Sequence, residues 1–407
     1  MMLFVYQCLM ALVQGIAPVL AKILPNQKAR HFFKVRLQMP LPQLSPKHSK
    51  RYWFHCASLG EFEQIVPVIE ALKKAQASNS IVITFFSESG YKYRHQYPLA
   101  DAVFYLPIDT KQRMQQWVKQ IDADVFILVK YELWYNLLKA LEQHKTPVLM
   151  VSAVFRPNQF LFGPLGGFLL KRLKSFQQIL VQDQSSYDCL LQHSIDKVIL
   201  AGDTRYDRVF AGMKRAEVNT NIQSFVGQKP CLILGSSWPK EEAILQASMD
   251  ELIQNNWVCI IAPHDVSEAH IKALQVQFQH HQPVLYSDLT SAQSSKVLII
   301  NTIGHLANAY QYADLAFIGG GFDNQLHNIL EPLAFGVPTV FGPNCPKYKE
   351  AAMAIKAQVA MPVNDANQFK QLLIEQSFTK REASLQEACK AFVHQRTGAT
   401  ALVMQEL

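Results

Sequence analysis

The chain has 407 residues, of which 49% are hydrophobic and 17% charged, so it predicts a globular protein of about two domains and excludes a disordered one. Its seven cysteines are odd in number and scattered without a CxxC pair, so we predict a reducing compartment, with neither a disulfide framework nor a zinc site. The formal net charge is +7, and the basic residues gather beside an apolar segment without interleaved stacking motifs, which disfavours nucleic-acid binding.

Residues 1–40 are predicted to form a membrane-associating segment. Residues 1–21 carry no charge and are mostly apolar, and the first acidic residue of the chain is Glu61. The basic residues that come before it are Lys22, Lys28, Arg30, Lys34, Arg36, Lys47, Lys50 and Arg51. An apolar segment followed by a basic patch indicates attachment to an anionic membrane surface, with the basic side kept cytoplasmic.

Three other interpretations of this segment compete with monotopic insertion or a marginal anchor, which we favour. A secretory signal peptide fits poorly, because no charge precedes the apolar run and the cleavage pattern around 17–21 is weak. A spanning helix needs about 20 apolar residues, and residues 1–20 barely supply them, with weakening residues at positions 7, 14, 15 and 18. The third is an ordinary buried helix.

Beyond the proline-rich stretch 40–46, short apolar runs alternate with amphipathic ones, which is typical of α/β architecture with parallel sheets. The first series predicts a helix over 62–77 and strands over 52–55, 81–85, 103–105, 125–129, 148–152, 178–181 and 198–200. The second series predicts strands over 231–234, 258–262, 284–286, 297–300, 315–318 and 339–341.

Residues 204–229 carry no strand pattern and are the predicted connection between the two series. We therefore predict two doubly wound, Rossmann-like α/β domains, 41–204 and 205–407. If the domains face one another, a cleft forms at the carboxyl ends of both sheets, where ligands bind in this architecture.

Residues 319–344 are the most informative stretch, because an apolar strand, a glycine turn and a helix-compatible segment follow one another there. The strand 315–318 leads into the glycines 319–321, and the predicted helix begins near His327 and carries Glu331. Glycines allow a ligand to approach the backbone closely, and a helix N-terminus offers N–H groups to a phosphate. An acidic residue soon after such a turn can accept hydrogen bonds from ribose hydroxyls. The stretch predicts a nucleotide-sugar site.

A glycine run before a helix also occurs in many α/β folds as simple turn chemistry, so this structural interpretation stays open. The ordered combination Gly-Gly-Gly, His-Asn, Glu-Pro, Gly-x-Pro and Phe-Gly-Pro is much less common than any one of its parts.

Two polar clusters in the first domain follow predicted strands and belong at the same sheet edge. Glu61 comes at a strand-to-helix turn, where it could accept a proton from an attacking hydroxyl or only complement the helix dipole. Lys130 and Glu132 follow the strand 125–129 and could bind charged substrate, or cap and pack.

These residues together resemble the 3-deoxy-D-manno-octulosonic acid (Kdo) transferases of lipopolysaccharide synthesis, and the resemblance runs over nearly the whole chain. The segments that carry it are GEF at 60–62, YELWYN at 131–136, VSAVFR at 151–156, GD at 202–203 and GGGF…HNILEPLAFGVPTVFGPN…KYKEA from 319. The resemblance implies an inverting glycosyltransferase of the GT-B type that moves Kdo from CMP-Kdo to a lipid A precursor. It also implies no bound metal or other cofactor, and a place at the cytoplasmic face of the inner membrane of a Gram-negative bacterium.

The resemblance also implies roles for particular residues. Glu61 matches the general base of the family, and Ser236 and His264 lie where the family contacts the donor. The positions that match the CMP-binding region are Gly319, Gly320, Gly321, Asn328 and Glu331. The family's Pro-Arg-His segment reads Pro263-His264 here, so the arginine is missing.

Other assignments remain open at this stage. Lys130, Glu132 and Arg156 are candidates for holding the sugar or the anions of lipid A, or else for ordinary surface roles. Another GT-B enzyme that uses a UDP-sugar, including a lipid-linked glycosyltransferase or an epimerase, is the enzymatic alternative. A catalytically inactive membrane-bound scaffold is the alternative from a different class.

Overall fold

The computed structural model describes residues 2–130, 132–289, 295–375 and 378–407, apart from the side chain of Gln38. The chain divides into two compact units. The first contains the described residues up to Arg208 together with Thr397–Leu407, and the second contains Val209–Arg396.

The first unit begins with two helices, α1 (Met2–Ile23) and α2 (Gln27–Gln38), that precede the first strand. Its strands are β1 (Arg51–Cys56), β2 (Ser80–Phe85), β3 (Ala102–Tyr105), β4 (Val125–Val129), β5 (Val148–Ala153), β6 (Gln178–Val181) and β7 (Val198–Leu200). The helices between and after them are α3 (Leu59–Ala75), α4 (Glu88–Arg94), α5 (Lys111–Ile121), α6 (Tyr135–His144), α7 (Gly167–Leu173), α8 (Gln184–Gln192) and α9 (Thr204–Lys214), which runs on into the second unit.

The second unit repeats this alternation. Its strands are β8 (Cys231–Ser237), β9 (Val258–Pro263), β10 (Val284–Leu285), β11 (Val297–Ile299), β12 (Leu315–Ile318), β13 (Thr339–Phe341) and β14 (Ala360–Pro362). Its helices are α10 (Thr220–Val226), α11 (Pro239–Ala247), α12 (Met249–Gln254), α13 (Glu268–Gln277), α14 (Leu306–Ala309), α15 (Leu330–Ala334), α16 (Lys349–Lys356), α17 (Ala366–Glu375) and α18 (Ala383–His394). The last helix of the chain, α19 (Ala399–Gln405), belongs to the first unit.

Within the described residues each unit contains one seven-stranded sheet, and every pairing in both sheets is parallel. The strand order is β3-β2-β1-β4-β5-β6-β7 in the first sheet and β10-β11-β9-β8-β12-β13-β14 in the second. Strands such as β1, β4, β5 and β9 are buried along their whole length, which explains why they read as nearly continuous apolar runs. The prediction of two doubly wound, Rossmann-like α/β domains is therefore confirmed.

Helix α1 is attached to the first unit along one side and exposed along the other. The Tyr6 hydroxyl donates to Asp109 at 2.5 Å, the Gln7 amide donates to Asn136 Oδ1 at 2.6 Å, and Ala17 is fully buried. The exposed apolar side chains of this helix are Phe4, Val5, Leu9, Leu12, Ile16, Val19 and Ile23. By length and composition, α1 is also apolar enough to cross a membrane.

Outside the site, the helix predicted over 62–77 lies at Leu59–Ala75, and one strand and one domain boundary also differ from the sequence analysis. The edge strand β14 of the second sheet was not predicted, because Ala360–Pro362 is too short to show a periodic pattern. The predicted C-terminal domain, 205–407, includes residues that the structure returns to the first unit: Val403 is buried in the same apolar cluster as Tyr52 and Leu149.

The side chain of Asp207 holds the start of the C-terminal segment Thr397–Leu407. Its carboxylate accepts hydrogen bonds from the backbone N–H groups of Gly398 and Thr400, at 2.6 and 2.9 Å, and from the Thr400 hydroxyl at 3.0 Å. Gly398 is the N-cap residue of α19, and as a glycine it has no side chain that could cap the helix. A carboxylate from another helix therefore caps α19.

We expect Asp207→Ala to lower the free energy of unfolding by about 1–2 kcal/mol, the usual loss when a helix cap is removed. Urea unfolding followed by circular dichroism measures this change, and the matched control is Asp196→Ala, which removes an exposed carboxylate of the same unit. Equal stability of Asp207→Ala and the wild type would show that apolar burial alone holds α19.

Candidate active site

In both sheets, the strand order reverses between two central strands, and the predicted site residues follow those strands. In the first sheet the reversal lies between β1 and β4, and in the second between β8 and β12. The loops after two such strands diverge to opposite faces of the sheet and leave a crevice at the carboxyl edge, where α/β proteins bind ligands. Glu61 and Lys130 follow β1 and β4, while Ser236 and the glycines 319–321 lie at the ends of β8 and β12.

The glycine loop of the second unit packs against two neighbouring loops at van der Waals distance. A Cβ at Gly319 would lie 2.0 Å from the Ser236 carbonyl oxygen, and one at Gly321 would lie 2.4 Å from the Gly342 nitrogen. Gly320 has φ +82°, a conformation that side chains with a Cβ rarely adopt. The close approach that these glycines allow is therefore, at least in part, an approach of backbone to backbone.

A buried carboxylate that the sequence analysis missed holds this loop. The side chain of Glu241 is 1% exposed, and its Oε1 accepts from the N–H of Gly320 at 2.8 Å while its Oε2 accepts from the N–H of Trp238 at 3.2 Å. Burial raises the pKa of Glu241, and these backbone hydrogen bonds oppose that rise. The sequence carries a signal for this contact. Trp238 precedes helix α11 and Glu241 follows three positions later, and an acidic residue at that spacing is part of the capping-box pattern.

The helix after the glycine loop begins at Leu330, so the predicted start near His327 was wrong. The N–H of His327 donates back to the carbonyl of Gly319 at 3.1 Å, and the N–H of Leu330 donates to Asn328 Oδ1 at 3.0 Å. The first bond keeps His327 in the loop, and the second gives the N–H of the first residue of α15 a partner in the Asn328 side chain. Helix α15 is also short, Leu330–Ala334, so the predicted phosphate site at its N-terminus lacks a long helix behind it.

Two of the residues that match the CMP-binding region, Asn328 and Glu331, lie side by side. The Asn328 side-chain amide donates to Glu331 Oε1 at 3.0 Å, and Asn328 is exposed. The pKa of Tyr310 is raised well above its usual value, first by complete burial and then by the negative charge of Glu331. The arrangement leaves a carboxylate and an amide side by side after the glycine loop, which suits hydroxyl groups of a sugar or ribose.

Ser236 and His264 lie on neighbouring strand ends. Ser236 has φ +51°, which is uncommon for a residue with a side chain, and it sits where the pairing of β8 with β9 shifts register. The N–H of His264 donates to the carbonyl of Ser237 at 3.0 Å, and the imidazole of His264 is exposed. Unusual backbone conformations of this kind collect at functional sites.

Three aromatic rings meet beside these residues. The ring of Trp238 stacks on that of His264 with centroids 4.6 Å apart, and the rings of His264 and His327 lie 4.7 Å apart. The indole N–H of Trp238 donates to His327 Nε2 at 3.2 Å. Neither Trp238 nor His327 was assigned a role from the sequence, because a tryptophan before a helix has no motif of its own.

Glu61 in the first unit lies in the first turn of α3 and is 7% exposed. Its carboxylate accepts from the N–H of Ala57, while its own N–H donates to the Ser58 hydroxyl at 3.4 Å, so Ser58 caps the helix. The pKa of Glu61 is raised by burial, and the Ala57 hydrogen bond and the positive charge of Lys130 oppose this rise. Both interpretations made from the sequence are compatible with this position, because Glu61 lies near the helix N-terminus and carries a perturbed carboxyl group.

The charges that shift the pKa of Glu61 show which of the predicted residues lie near it. Lys130 and His55 lower the pKa of Glu61, and Glu132 raises it. Lys130 itself has φ +63° directly after β4, a strained backbone that turns the chain at the sheet edge. The buried His55 was missed; its Nδ1 lies 3.0 Å from Thr84 Oγ1, and its Nε2 lies 3.5 Å from Glu132 Oε2.

Two further residues of the quoted segments are Tyr131 and Arg156. Tyr131, between Lys130 and Glu132, lies outside the described residues. Arg156 is exposed, and its backbone N–H donates to Gln159 Oε1 at 3.2 Å. It makes no ion pair within the part of the chain that the structure describes. A role for Arg156 in substrate binding stays a prediction.

Comparison with known proteins shows which family this chain is similar to. Residues 31–208 match the family model described as 3-deoxy-D-manno-octulosonic-acid transferase (kdotransferase). A 3-deoxy-D-manno-octulosonic acid transferase of Chlamydophila psittaci is 25% identical over 370 residues, covering 86% of this chain and 82% of that protein. The transferase of the same name from Haemophilus influenzae is 23% identical over 341 residues, covering 81% of this chain and 80% of that protein.

A likeness among solved structures concerns the fold alone. The UDP-GlcNAc 2-epimerase from Neisseria meningitidis bound to UDP-GlcNAc aligns with a TM-score of 0.60 and 14% identity, covering 88% of this chain and 99% of that chain. The two parallel α/β domains are thus of the GT-B type. The family-model match and the relatives that extend over most of the chain together indicate a glycosyltransferase that is similar to the Kdo transferases over most of its length.

Proposed function

We propose that this enzyme transfers Kdo from CMP-Kdo to a lipid A precursor, with inversion of the anomeric centre and without a resident metal. The observation that carries the proposal is the Glu61 site in a chain that is similar to the Kdo transferases. There, a buried carboxyl group of raised pKa lies at the reversal point of the first sheet and is influenced by Lys130. Such a group is suited to remove a proton from an acceptor hydroxyl.

The second unit would hold the donor. Asn328 Nδ2 orients the Glu331 carboxylate, which can accept hydrogen bonds from two ribose hydroxyls. The strained Ser236 and the exposed His264 lie at adjacent strand ends, where a phosphate or sugar hydroxyl would find a hydroxyl and an imidazole. Since the chain has Pro263-His264 without an arginine between them, His264 is the group of that segment available to the phosphate.

The transfer is a direct displacement at the anomeric carbon. As the acceptor oxygen forms its bond to the anomeric carbon, its proton passes to the Glu61 carboxylate. The bond between that carbon and the phosphate oxygen breaks, and CMP leaves with the bonding electrons. A carboxylate performs this role only when it is deprotonated, so the reaction needs Glu61 in its charged form.

Lys130 is the candidate for the negative charges of the acceptor or of Kdo in the first unit. Its charge acts on Glu61 in the free enzyme and lowers the pKa of that carboxyl. An anionic substrate at Lys130 would weaken this effect and raise the pKa of the base further.

The proposed activity is tested with detergent-solubilised enzyme, freshly generated CMP-Kdo and a tetra-acylated lipid A precursor, with and without EDTA. We expect CMP release in step with a mass gain of the lipid in whole Kdo units, at the same rate in EDTA. Loss of transfer in EDTA would contradict the metal-free proposal. Absence of transfer from CMP-Kdo, with transfer from a UDP-sugar, would contradict the proposed donor.

For the base, we expect Glu61→Gln to lower kcat/KM by about 10²–10⁴-fold, the usual contribution of a positioned general base. Because burial raises the pKa of Glu61, the wild-type activity falls with decreasing pH through a value above the ordinary glutamate pKa of 4.5. This acid limb is expected to be absent from the residual activity of Glu61→Gln.

The pH profile of kcat/KM measures both effects, and Glu63→Gln, two positions along the same helix, is the control for loss of a neighbouring carboxylate. Retention of more than roughly a tenth of the wild-type activity in Glu61→Gln or Glu61→Ala would show that Glu61 is not the base.

We further propose that α1 lies on the cytoplasmic face of the inner membrane and does not span it. Tyr6 and Gln7 bond to residues of the globular unit, and Ala17 is buried, so the helix is held along the unit near both ends. Its exposed apolar side is free to enter the lipid, and basic residues follow within the next 13 positions, among them Lys28 and Lys34. This is the geometry of an interfacial helix.

A cysteine in place of Met2 distinguishes the two topologies in a Cys8→Ser background. A membrane-impermeant maleimide added to cells with a permeable outer membrane reaches only the periplasmic side of the inner membrane. We expect no labelling of Met2→Cys until the inner membrane is opened, as for the control Ile23→Cys beside the basic patch. Labelling of Met2→Cys alone in intact cells would show that α1 spans the bilayer.

A further inference from the structure

Trp238 is the residue before α11, and its indole N–H is a hydrogen-bond donor that cannot accept. In the second unit this N–H lies 3.2 Å from Nε2 of His327 and donates to it. An imidazole nitrogen that accepts a hydrogen bond carries no proton, so the proton of the neutral His327 ring is on Nδ1. The tautomer of His327 thus follows from a partner that has no other hydrogen-bonding mode.

The surroundings of His327 favour the same uncharged form. The ring is half-buried and lies 4.7 Å from the ring of His264, and its pKa is lowered from 6.5 to about 4 by burial and by the charge of His264. The other charged groups on the elements around it are Lys240, Glu241 and Glu242 of α11, Asp265 next to His264, Asp323 of the glycine loop and Glu331 of α15. Glu242 accepts from the Ser237 hydroxyl at 2.8 Å and lies 3.0 Å from His270 Nε2. Lys240 Nζ forms an ion pair with Asp323 Oδ1 at 2.7 Å, and the Glu241 carboxylate accepts hydrogen bonds from two backbone N–H groups.

The position of His327 is fixed by a backbone hydrogen bond and by ring contacts. Its backbone N–H donates to Gly319, so the ring is attached to the first residue of the glycine loop. The Trp238 ring also stacks on His264 at 4.6 Å with an interplanar angle of 17°, so one indole orients both imidazoles. Asn328, a candidate donor-binding residue, follows His327 directly.

We propose that Trp238 is a positioning residue that locks His327 as a neutral imidazole protonated on Nδ1, and that His327 thereby serves as an uncharged hydrogen-bond donor to an oxygen of the anionic sugar nucleotide. The role in donor binding rests on the proposed function; the lock itself rests on the structure alone. A neutral imidazole of this kind keeps the same protonation state from about pH 5 upwards. Binding of the nucleotide through His327 therefore does not vary with pH in the neutral range.

The variant that tests the lock is Trp238→Phe, which keeps an aromatic ring for stacking and removes only the indole N–H. The matched control is Trp257→Phe in the same unit, because the Trp257 indole N–H is buried without a hydrogen-bond partner among the described residues. Both variants lose one indole from the second unit, and only the first loses a hydrogen bond to a histidine.

The first readout is nitrogen NMR of full-length enzyme labelled with ¹⁵N-histidine, in which the His327 signals are identified by their loss in His327→Gln. We expect protonated Nδ1 and bare Nε2 in the wild type, with titration near pH 4. In Trp238→Phe we expect a mixture of tautomers and a titration midpoint moved towards 6.5. A proton on Nε2 in the wild type, or identical spectra of His327 in wild type and Trp238→Phe, would overturn the lock.

The second readout is steady-state kinetics with CMP-Kdo. We expect the KM for the donor to rise about two- to tenfold in Trp238→Phe, the range for one neutral hydrogen bond, with kcat close to wild type and Trp257→Phe unchanged. A KM equal to the wild-type value would overturn the role of His327 in donor binding. Wild-type enzyme that turns over no CMP-Kdo would instead contradict the proposed function, and the NMR result would stand.

Discussion

Parallel pairing of all the described strands is the constraint on which the rest of this protein depends. In a parallel sheet all strands end at the same edge, so every loop that follows a strand is delivered there. The order of each sheet reverses between β1 and β4 or between β8 and β12, which separates the loops at that point. Glu61, Lys130, Ser236 and the glycine loop are far apart in sequence, and yet within each unit the fold brings its own members to one edge.

Two buried glutamates show how the surroundings of a carboxylate decide its use. Glu241 accepts two backbone hydrogen bonds at the start of α11 and connects the glycine loop to that helix. Both of its carboxylate oxygens therefore have partners within the protein. Glu61 occupies a similar place at the start of α3 but accepts a single backbone hydrogen bond, from Ala57, among the described residues. Burial raises the pKa of both, and the carboxylate with fewer internal partners is the one suited to exchange a proton with substrate.

Much of the fold could be predicted because strand identity in a doubly wound protein is a local property. Central strands are buried on both faces and therefore read as short apolar runs, as in Val125–Val129 and Val258–Pro263. Asn328 and Glu331 are three positions apart in the chain, and their side chains meet at 3.0 Å. The start of α15 could not be predicted, because the bond from His327 to Gly319 depends on the shape of the loop between them.

The sequence by itself determined the alternation of strands and helices, the glycine turn, the position of Glu61 at a strand-to-helix turn and the apolar N-terminal segment, because each of these depends on residues close together in the chain. Only the tertiary structure decided that Glu241 holds Gly320, that Trp238 bonds to His327, and that α19 returns to the first unit under the cap of Asp207. Those contacts join residues separated by 79, 89 and 193 positions, and they form only when the folded sheets bring the chain segments together.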